Sequence, residues 1–263
     1  MNILEEIAAY TKSRVAEAKK HISTEELKEK ALSMPKGSFA FEKALSKQGL
    51  SFICECKKAS PSKGIIADVF PYLEIAKDYE AAGADAISVL TEPKWFLGKN
   101  EYLKEISVEV DIPLLRKDFT VDEYMIYEAK VLGASAVLLI VSILTYEQIK
   151  NYIDICDSLG LSALVECHDE SEIITAVNAG ARVIGVNNRN LKDFSVDIEL
   201  SKRLKHNVPD GIIFVSESGV KGPEDMKLVK MTGADAVLIG EALMRADDKK
   251  KMLSDLKVKY DEN

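Results

Sequence analysis

The sequence predicts a closed barrel of eight parallel strands alternating with helices, a (β/α)8 TIM barrel with an N-terminal helical extension. Three observations predict it. First, the chain repeats itself. Gly83-Ala84-Asp85-Ala86, Gly133-Ala134-Ser135-Ala136, Gly180-Ala181-Arg182-Val183 and Gly233-Ala234-Asp235-Ala236 recur about 50 residues apart, and each runs into an apolar stretch. A glycine at that place closes a helix, because it accepts the left-handed conformation of a C-terminal cap. Second, four more apolar runs lie midway, at Phe52–Cys56, Pro113–Leu115, Ala163–Val165 and Ile212–Val215. All eight runs are too short for helices and suit strands buried on both faces. Third, helical patterns separate the runs, so strand–helix units follow at a nearly constant step.

Residues 1–47 stand outside the repeat and are expected to form the helical extension. Residues 48–263 are expected to form the catalytic barrel, the whole being one structural domain. Ile3, Ile7, Ala8 and Val15 make a loose helical stripe. It reads as a helix that plugs or flanks the barrel; lining one side of the mouth is the weaker reading from pattern alone. Ser23-x-x-Glu26 is a capping box that opens a second helix, which Pro35-Lys36-Gly37 breaks. Strand one is Phe52–Lys57. The following Ser60–Ile66 stretch is long for a strand–helix connection and is expected to be a mobile flap rather than an ordinary ordered loop. A helix from about Tyr72 to Ala82 leads to strand two, which ends at Thr91-Glu92-Pro93 before a long loop with Trp95-Phe96-Leu97-Gly98. Strand three is Pro113–Lys117, with a helix from about Asp122 to Leu132. Strand four is Ala136–Val141, and its helix starts near Thr145-x-x-Gln148. Strand five is Ala163–Cys167. Strand six ends in Asn187-Asn188-Arg189, with a helix from about Asp197 to Leu204. Strand seven ends in Glu217-Ser218-Gly219, and Pro223 opens its helix. Strand eight ends in Gly240-Glu241.

A chain of 263 residues buries roughly three quarters of its unfolded surface. The formal charge of −8 argues against nucleic-acid and anionic-membrane binding, which need a basic surface. It leaves room for an anionic small substrate in a local basic pocket. Met1-Asn2-Ile3-Leu4-Glu5-Glu6 has no positive region before an apolar stretch, so it is not read as a signal peptide. The longest apolar stretch, Ala134–Leu144, is too short to span a bilayer. A soluble, cytoplasmic protein is expected. Cys54 and Cys56 share one face of strand one and read as buried small hydrophobes, not as a metal pair, which usually sits in a turn. His21, His168 and His206 are scattered, with no partner at metal-ligand or triad spacing.

Barrel active sites lie at the C-terminal strand ends. Charged side chains are almost never fully buried unless paired or functional. The strand ends that place polar or charged groups after apolar runs are Glu55 and Lys57, Lys117, Glu166, Asn187 and Arg189, and Glu217. Any one alone reads as a solvated strand end; together they read as a functional mouth. Burial and neighbouring carboxylates are expected to poise a lysine as a general acid near neutral pH. No histidine is expected to end a strand inside the mouth with a hydroxyl partner, and the interleaved lysines argue against a metal among the carboxylates. Barrels often bind phosphate in the loops after strands seven and eight. Here those loops are Ser218-Gly219-Val220 and Gly240-Glu241-Ala242. Their glycines allow close backbone approach, and N–H groups opening a short helix make an anion nest. The Glu241 carboxylate would repel a phosphate and is expected to point away, leaving its N–H to bind. No nucleotide motif is present, so no nucleotide cofactor is expected.

Seven segments, in order, resemble the indole-3-glycerol phosphate synthase family. They are Phe52-Ile-Cys-Glu55-Cys-Lys57-Lys-Ala-Ser60-Pro61-Ser62-Lys63-Gly64, Ala86-Ile-Ser-Val-Leu-Thr91-Glu92, Trp95-Phe96-x-Gly98, Leu115-Arg116-Lys117-Asp118-Phe119, Leu164-Val-Glu166, Gly185-Val-Asn187-Asn188-Arg189-Asn190-Leu191 and Val215-Ser-Glu217-Ser218-Gly219. The resemblance spans residues 39 to 250. Cys54 and Cys56 stand where the family more often has aliphatic residues or alanine. The resemblance implies closure of an indole ring, with loss of CO2 and water, in tryptophan biosynthesis. It implies no cofactor. It makes Lys117 the general acid and Glu166 the partner in proton transfer, with Lys57 beside it; which lysine serves which step stays open. Glu55 would orient Lys57, and Asn187 and Glu217 would hold the sugar-derived hydroxyls. Arg189, Ser60, Ser218, Gly219, Gly240 and Glu241 would meet the phosphate or the anthranilate carboxylate. Trp95, Phe96, Phe119 and Leu139 are available to cover the aromatic ring, core packing being an equal reading. A monomer is expected, with weak association with other tryptophan-pathway enzymes left open. The enzyme rival is phosphoribosylanthranilate isomerase, whose chemistry wants a Cys and Asp pair at strand ends; the non-enzyme rival is a scaffold barrel that binds a sugar phosphate.

Overall fold

The computed structural model describes residues 3–190 and 194–262. Met1, Asn2 and Leu191 of the segments quoted above lie outside them. Eight parallel strands close on themselves: β1 (Ser51–Cys56), β2 (Ala86–Leu90), β3 (Leu114–Lys117), β4 (Ala136–Ile140), β5 (Ser162–Cys167), β6 (Val183–Asn187), β7 (Ile213–Glu217) and β8 (Ala236–Ile239). Neighbours in sequence are neighbours in the barrel, and β1 pairs with both β8 and β2. The four repeat glycines sit at φ 79°, 88°, 94° and 66° (Gly83, Gly133, Gly180, Gly233). This is the left-handed region that closes each helix before its strand.

Several boundaries move by a residue or two. Pro113 precedes β3 and Lys57 follows β1. Val141 leaves β4 to begin a single 3-10 turn, Val141–Ile143. Pro223 opens a 3-10 turn that leads into the helix Met226–Thr232. Both expected capping boxes are formed, Ser23 with Glu26 and Thr145 with Gln148.

Three helices precede β1: α1 (Ile3–Ala18), α2 (Thr24–Ser33) and α3 (Ala40–Leu45). They take different stations. Phe41 and Leu45 of α3 are fully buried and belong to the apolar filling of the barrel. Arg182, just before β6, holds Glu42 at 2.9 Å, and Ser51 at the start of β1 reaches the Ala44 carbonyl. These contacts fix α3 under the N-terminal strand ends. Leu4 and Ile7 of α1 join the same filling from the other end. There Arg14 donates to Asp118, just past β3, at 2.7 Å, and Lys19 pairs with Asp122 at 2.7 Å. The barrel interior is therefore apolar and closed below, while α1 stands at the C-terminal rim. A second core, including Cys54, Cys56, Cys156 and Cys167, fills the layer between strands and outer helices. All four thiols are buried and free, and burial pushes each thiol pKa up. Among the described residues no helix is long and apolar enough to cross a membrane.

Candidate active site

Register sets the height of each side chain in the barrel. Glu166 on β5 lies level with Ile140 and Gly185, and Asn187 on β6 lies level with Glu217 on β7. All point inward at the C-terminal end, because strand side chains alternate and these share one parity. Lys117 ends β3 and reaches across the barrel to both carboxylates. Its Nζ lies 2.6 Å from Glu217 Oε2 and 3.2 Å from Glu166 Oε2. Glu166 and Glu217 are almost completely buried.

The electrostatics follow from that cage. Burial works to lower the Lys117 pKa, but the charges of Glu217, Glu166 and Glu55 overcome it and hold the ammonium above its usual range. Burial works to raise Glu166, yet Lys117, His168 and Asn187 hold it below the usual carboxylate range. Glu217 goes the other way. Burial, with the repulsion of Glu166 and Glu55 added, outweighs Lys117 and lifts it to about 7. So the group poised near neutral pH is a carboxylate, not a lysine. Two anions competing for one buried cation leave one of them under-compensated. Gly185 makes the cage possible: a Cβ there would collide with Glu217 Oε1.

Beside this cage lies a second pair. Lys57 Nζ sits 2.6 Å from Glu55 Oε1, and Ser88 donates to Glu55 Oε2 at 3.3 Å. Gly240 closes over them. A Cβ on it would come within 2.5 Å of the Glu55 carboxylate and 2.9 Å of Lys57 Nζ.

From the Glu55–Lys57 pair a cavity of about 600 Å³ opens outward, lined by Lys63, Arg189, Ser218, Gly219, Lys221, Gly240, Glu241 and Arg245 among others. Ser218 and Gly219 are both left-handed, at φ 67° and 103°. This is uncommon for a serine and marks a backbone bent for a purpose. The expectation that Glu241 turns away does not hold. Its carboxylate stands on the cavity wall, 3.1 Å from Arg245 Nε, 3.8 Å from Lys63 and 3.9 Å from Arg189. The surrounding cations attract it there.

A narrower inner chamber of about 110 Å³ adjoins this cavity. It is lined by Glu55, Lys57, Ser60, Lys117, Glu166, Asn187, Arg189, Glu217, Ser218 and Glu241. Between the chamber and the outer cavity, every residue proposed from the sequence for catalysis or phosphate binding is present at one mouth. The apolar wall comes from Ile3, Leu4, Ile7, Phe96, Phe119, Leu138, Ile140 and Leu238. Three expectations change here. The first helix does line the mouth, a role its stripe alone left as the weaker reading. Leu139 belongs to the outer core, because Ile140, not Leu139, shares the height and parity of Glu166. Trp95 packs edge-on against Tyr10 at 5.5 Å rather than lining the chamber, while Phe96 and Phe119 do line it. The Ser60–Ile66 stretch is a small ribbon, with Ala59–Ser60 paired to Gly64–Ile65.

Sequence reasoning missed His168. It follows β5, and its Nε2 lies 3.4 Å from Glu166 Oε1 while Nδ1 lies 3.2 Å from Glu172. The signal was present: His168-x-x-x-Glu172 is an i,i+4 pair placed directly after a catalytic strand end. Among the described residues no group of three or more His, Cys, Asp or Glu is arranged to hold a metal ion.

Fold and mouth together define a (β/α)8-barrel enzyme whose charged strand ends converge on one chamber. The family model described as indole-3-glycerol phosphate synthase matches residues 4–256. The indole-3-glycerol phosphate synthase of Ruminiclostridium cellulolyticum is 57% identical over 247 residues, covering 94% of this chain and 95% of that protein. That of Lachnoclostridium phytofermentans is 51% identical over 267 residues, covering 97% and 98%. The chain belongs to the indole-3-glycerol phosphate synthase family, decarboxylating lyases of tryptophan biosynthesis. A solved structure of the tryptophan synthase alpha subunit from Legionella pneumophila superposes with a TM-score of 0.64 at 13% identity, covering 85% of this chain and 99% of that one. At that identity the likeness is one of fold alone.

Proposed function

We propose that the mouth closes the indole ring of 1-(2-carboxyphenylamino)-1-deoxyribulose 5-phosphate, giving indole-3-glycerol phosphate, CO2 and water. The observation that carries this reading is Lys117 held between Glu166 and Glu217 on the chamber floor, with an arginine- and lysine-lined cavity next door. The two compartments suit the two ends of such a substrate. The sugar phosphate goes to Arg189, Ser60, Ser218, Gly219 and the Gly240–Glu241 corner. The aromatic ring goes to the chamber, against Phe96, Phe119, Ile7 and Leu138.

The roles follow. Lys117, held as the ammonium, donates a proton to the carbonyl oxygen as the ring carbon bearing the carboxylate attacks the carbonyl carbon. One C–C bond forms, and the carbonyl becomes a hydroxyl. The carboxylate then leaves as CO2, and its bonding electrons restore the aromatic ring. Loss of the new hydroxyl as water needs a second acid and the removal of one proton. Glu166, the more firmly ionised of the two carboxylates, takes that proton. Lys57 stands beside the chamber as the other acid, oriented by Glu55. Asn187 and Glu217 hold the hydroxyls. Preorganised charge of this kind acts strongly because the floor is buried. The working unit we propose is a single cytoplasmic chain, residues 1–47 being the helical extension to a barrel of 48–263. Every proposed role falls to a residue of one chain.

Turnover followed by indole fluorescence tests the reading. Purified protein supplied with the carboxyphenylamino ribulose phosphate should produce the fluorescent product at a rate proportional to enzyme, without added metal or cofactor. Binding without turnover would leave a sugar-phosphate-binding barrel instead.

A further inference from the structure

Asn188 is buried, and both ends of its side chain are engaged. It stands one residue past β6, where the ladder with β7 stops at Asn187 and Glu217. Its Oδ1 accepts from the Ser201 backbone N–H at 3.0 Å and from the Ser201 hydroxyl at 2.8 Å, on the helix Glu199–Leu204. Its Nδ2 donates to Ser216 Oγ at 3.1 Å and to the Ser218 carbonyl at 3.1 Å. Ser216 Oγ in turn donates to Ser201 Oγ at 3.0 Å, which closes a ring of three buried side chains. The two backbone partners set the orientation of the amide. An N–H only donates and a carbonyl only accepts, so the amide oxygen faces Ser201 and the nitrogen faces Ser218.

The bond to Ser218 lands on a strained residue. Ser218 has φ 67° and Gly219 φ 103°. The left-handed region is uncommon for serine, and its energy must be offset by surrounding contacts. Asn188 Nδ2 grips the carbonyl of the Ser218–Gly219 peptide. A trans peptide is planar and rigid, so fixing its C=O also fixes its N–H, which points the opposite way. That N–H belongs to Gly219, on the wall of the outer cavity, and among the described residues it has no acceptor. Asn188 itself lines neither the outer cavity nor the chamber.

We propose that Asn188 is a positioning residue of the phosphate corner: it holds Ser218 left-handed, so that the Gly219 N–H is presented to the anion. The inference rests on the reading of Ser218 and Gly219 as phosphate contacts and deepens it. Asn188 acts through one peptide plane rather than by touching substrate. A carboxamide suits that task because it carries a donor and an acceptor on one short, rigid group. The acceptor end ties it to the helix behind the corner, and the donor end holds the bent backbone in front. Ser216 and Ser201 close the ring and keep the amide from turning.

The probe is inorganic phosphate, titrated by calorimetry, beside steady-state kinetics with the carboxyphenylamino ribulose phosphate. Asn188→Ala should weaken phosphate binding roughly 10-fold, the upper end for one neutral hydrogen bond, and raise KM by a similar factor with kcat within about twofold of wild type. Asn188→Asp keeps the shape, and the Ser216 hydroxyl can turn to donate to it, so only the Ser218 carbonyl loses its donor. The same loss is expected there, and this variant carries the test if the alanine variant does not fold. Ser201→Ala breaks the ring on its far side; it should lower Tm yet leave phosphate affinity within about twofold of wild type. The sharpest comparison uses a Ser218→Gly background. Glycine takes the left-handed region unaided, so Asn188→Ala should there weaken phosphate no more than about threefold. Equal losses with serine and glycine at 218, or as large a loss in Ser201→Ala, would reduce Asn188 to packing and overturn the proposal. Arg189→Ala separates the two layers, because it removes a cavity cation and no bond of Asn188. If it weakens phosphate while both Asn188 variants bind normally, only the positioning role fails; if all three bind phosphate as wild type does, the reading of this corner as the phosphate site fails.

Discussion

The two halves of the mouth are built on opposite principles. On the floor, Lys117 and Glu217 are the last residues of β3 and β7 and Glu166 is the last but one of β5, and every charge has a fixed partner within 3.2 Å. In the outer cavity, Lys63, Arg189 and Arg245 stand on loops and a short helix, with their nearest carboxylate at 3.1–3.9 Å. The Lys117 side chain is 13% exposed, whereas Lys63 and Arg245 are 45% and 50% exposed. Proton transfer needs groups held to within fractions of an ångström, and barrel strands supply that. An anion anchor needs cations that can close on a charge arriving from water, and loops supply that. Glu241 shows the cost of the second arrangement. The cations that would hold a phosphate hold a carboxylate in its place.

The largest effect should come from the floor. Lys117→Met should lower turnover by at least ~10²–10⁴-fold, yet leave inorganic phosphate binding within about twofold of wild type. Near wild-type kcat would remove Lys117 from the mechanism. Comparable losses of turnover and phosphate binding would mean that the two halves are not separable.

Arg189→Ala tests the other half. One charge-assisted hydrogen bond is worth about 1.5–3 kcal/mol, so KM should rise by roughly 10- to 100-fold with kcat changed much less. A kcat loss at unchanged KM would move Arg189 to the floor.

The pH dependence sharpens the contrast, because Glu217 is lifted to about 7 from an ordinary 4.5. As pH falls below about 7, Glu217 gains a proton and Lys117 loses one of its two carboxylates, so kcat/KM should fall on an acidic limb there. The stability sign is opposite. The folded state binds this proton more tightly than the unfolded chain, so stability is greatest below 4.5 and is lost as pH rises towards 7. The difference in unfolding free energy between wild type and Glu217→Gln should follow that course; a flat difference from pH 4.5 to 7 would contradict the shift.

A subtler effect concerns the Ala59–Ile65 ribbon. Ser60 is buried on the chamber side, while Ile65 is exposed. Hydrogen exchange in residues 60–66 should slow when a substrate or product analogue binds. Equal exchange with and without ligand would deny the ribbon a gating role. The smallest effect belongs to the outer layer. Replacing Cys54 and Cys56 by alanine should cost about 1 kcal/mol each, seen as a lower Tm, with kcat/KM unchanged.

The barrel was legible because parallel strands buried on both faces leave an uninterrupted apolar signature, and because each returning helix needs a left-handed cap. Gly83, Gly133, Gly180 and Gly233 announce those caps. The charged strand ends were legible as a set: Lys117 or Glu166 alone reads as a solvated strand end, but charges ending several apolar runs at one mouth do not. What a local pattern cannot carry is the identity of the partner across the barrel. The stripe of α1 shows an apolar face, but only the docking of Arg14 on Asp118 shows that it faces the mouth. Leu139 and Ile140 are equally apolar, and the register with Glu166 decides which points inward. Glu166 and Glu217 are the same residue type at similar strand ends. Their opposite pKa shifts arise because Glu166 has His168 and Asn187 beside it as well as Lys117, whereas burial of Glu217 is reinforced by the charges of Glu166 and Glu55, most of these residues lying far apart in sequence. Chain-local chemistry determined the elements and the cast of charged residues; burial and distances across the closed barrel decided what each of them can do.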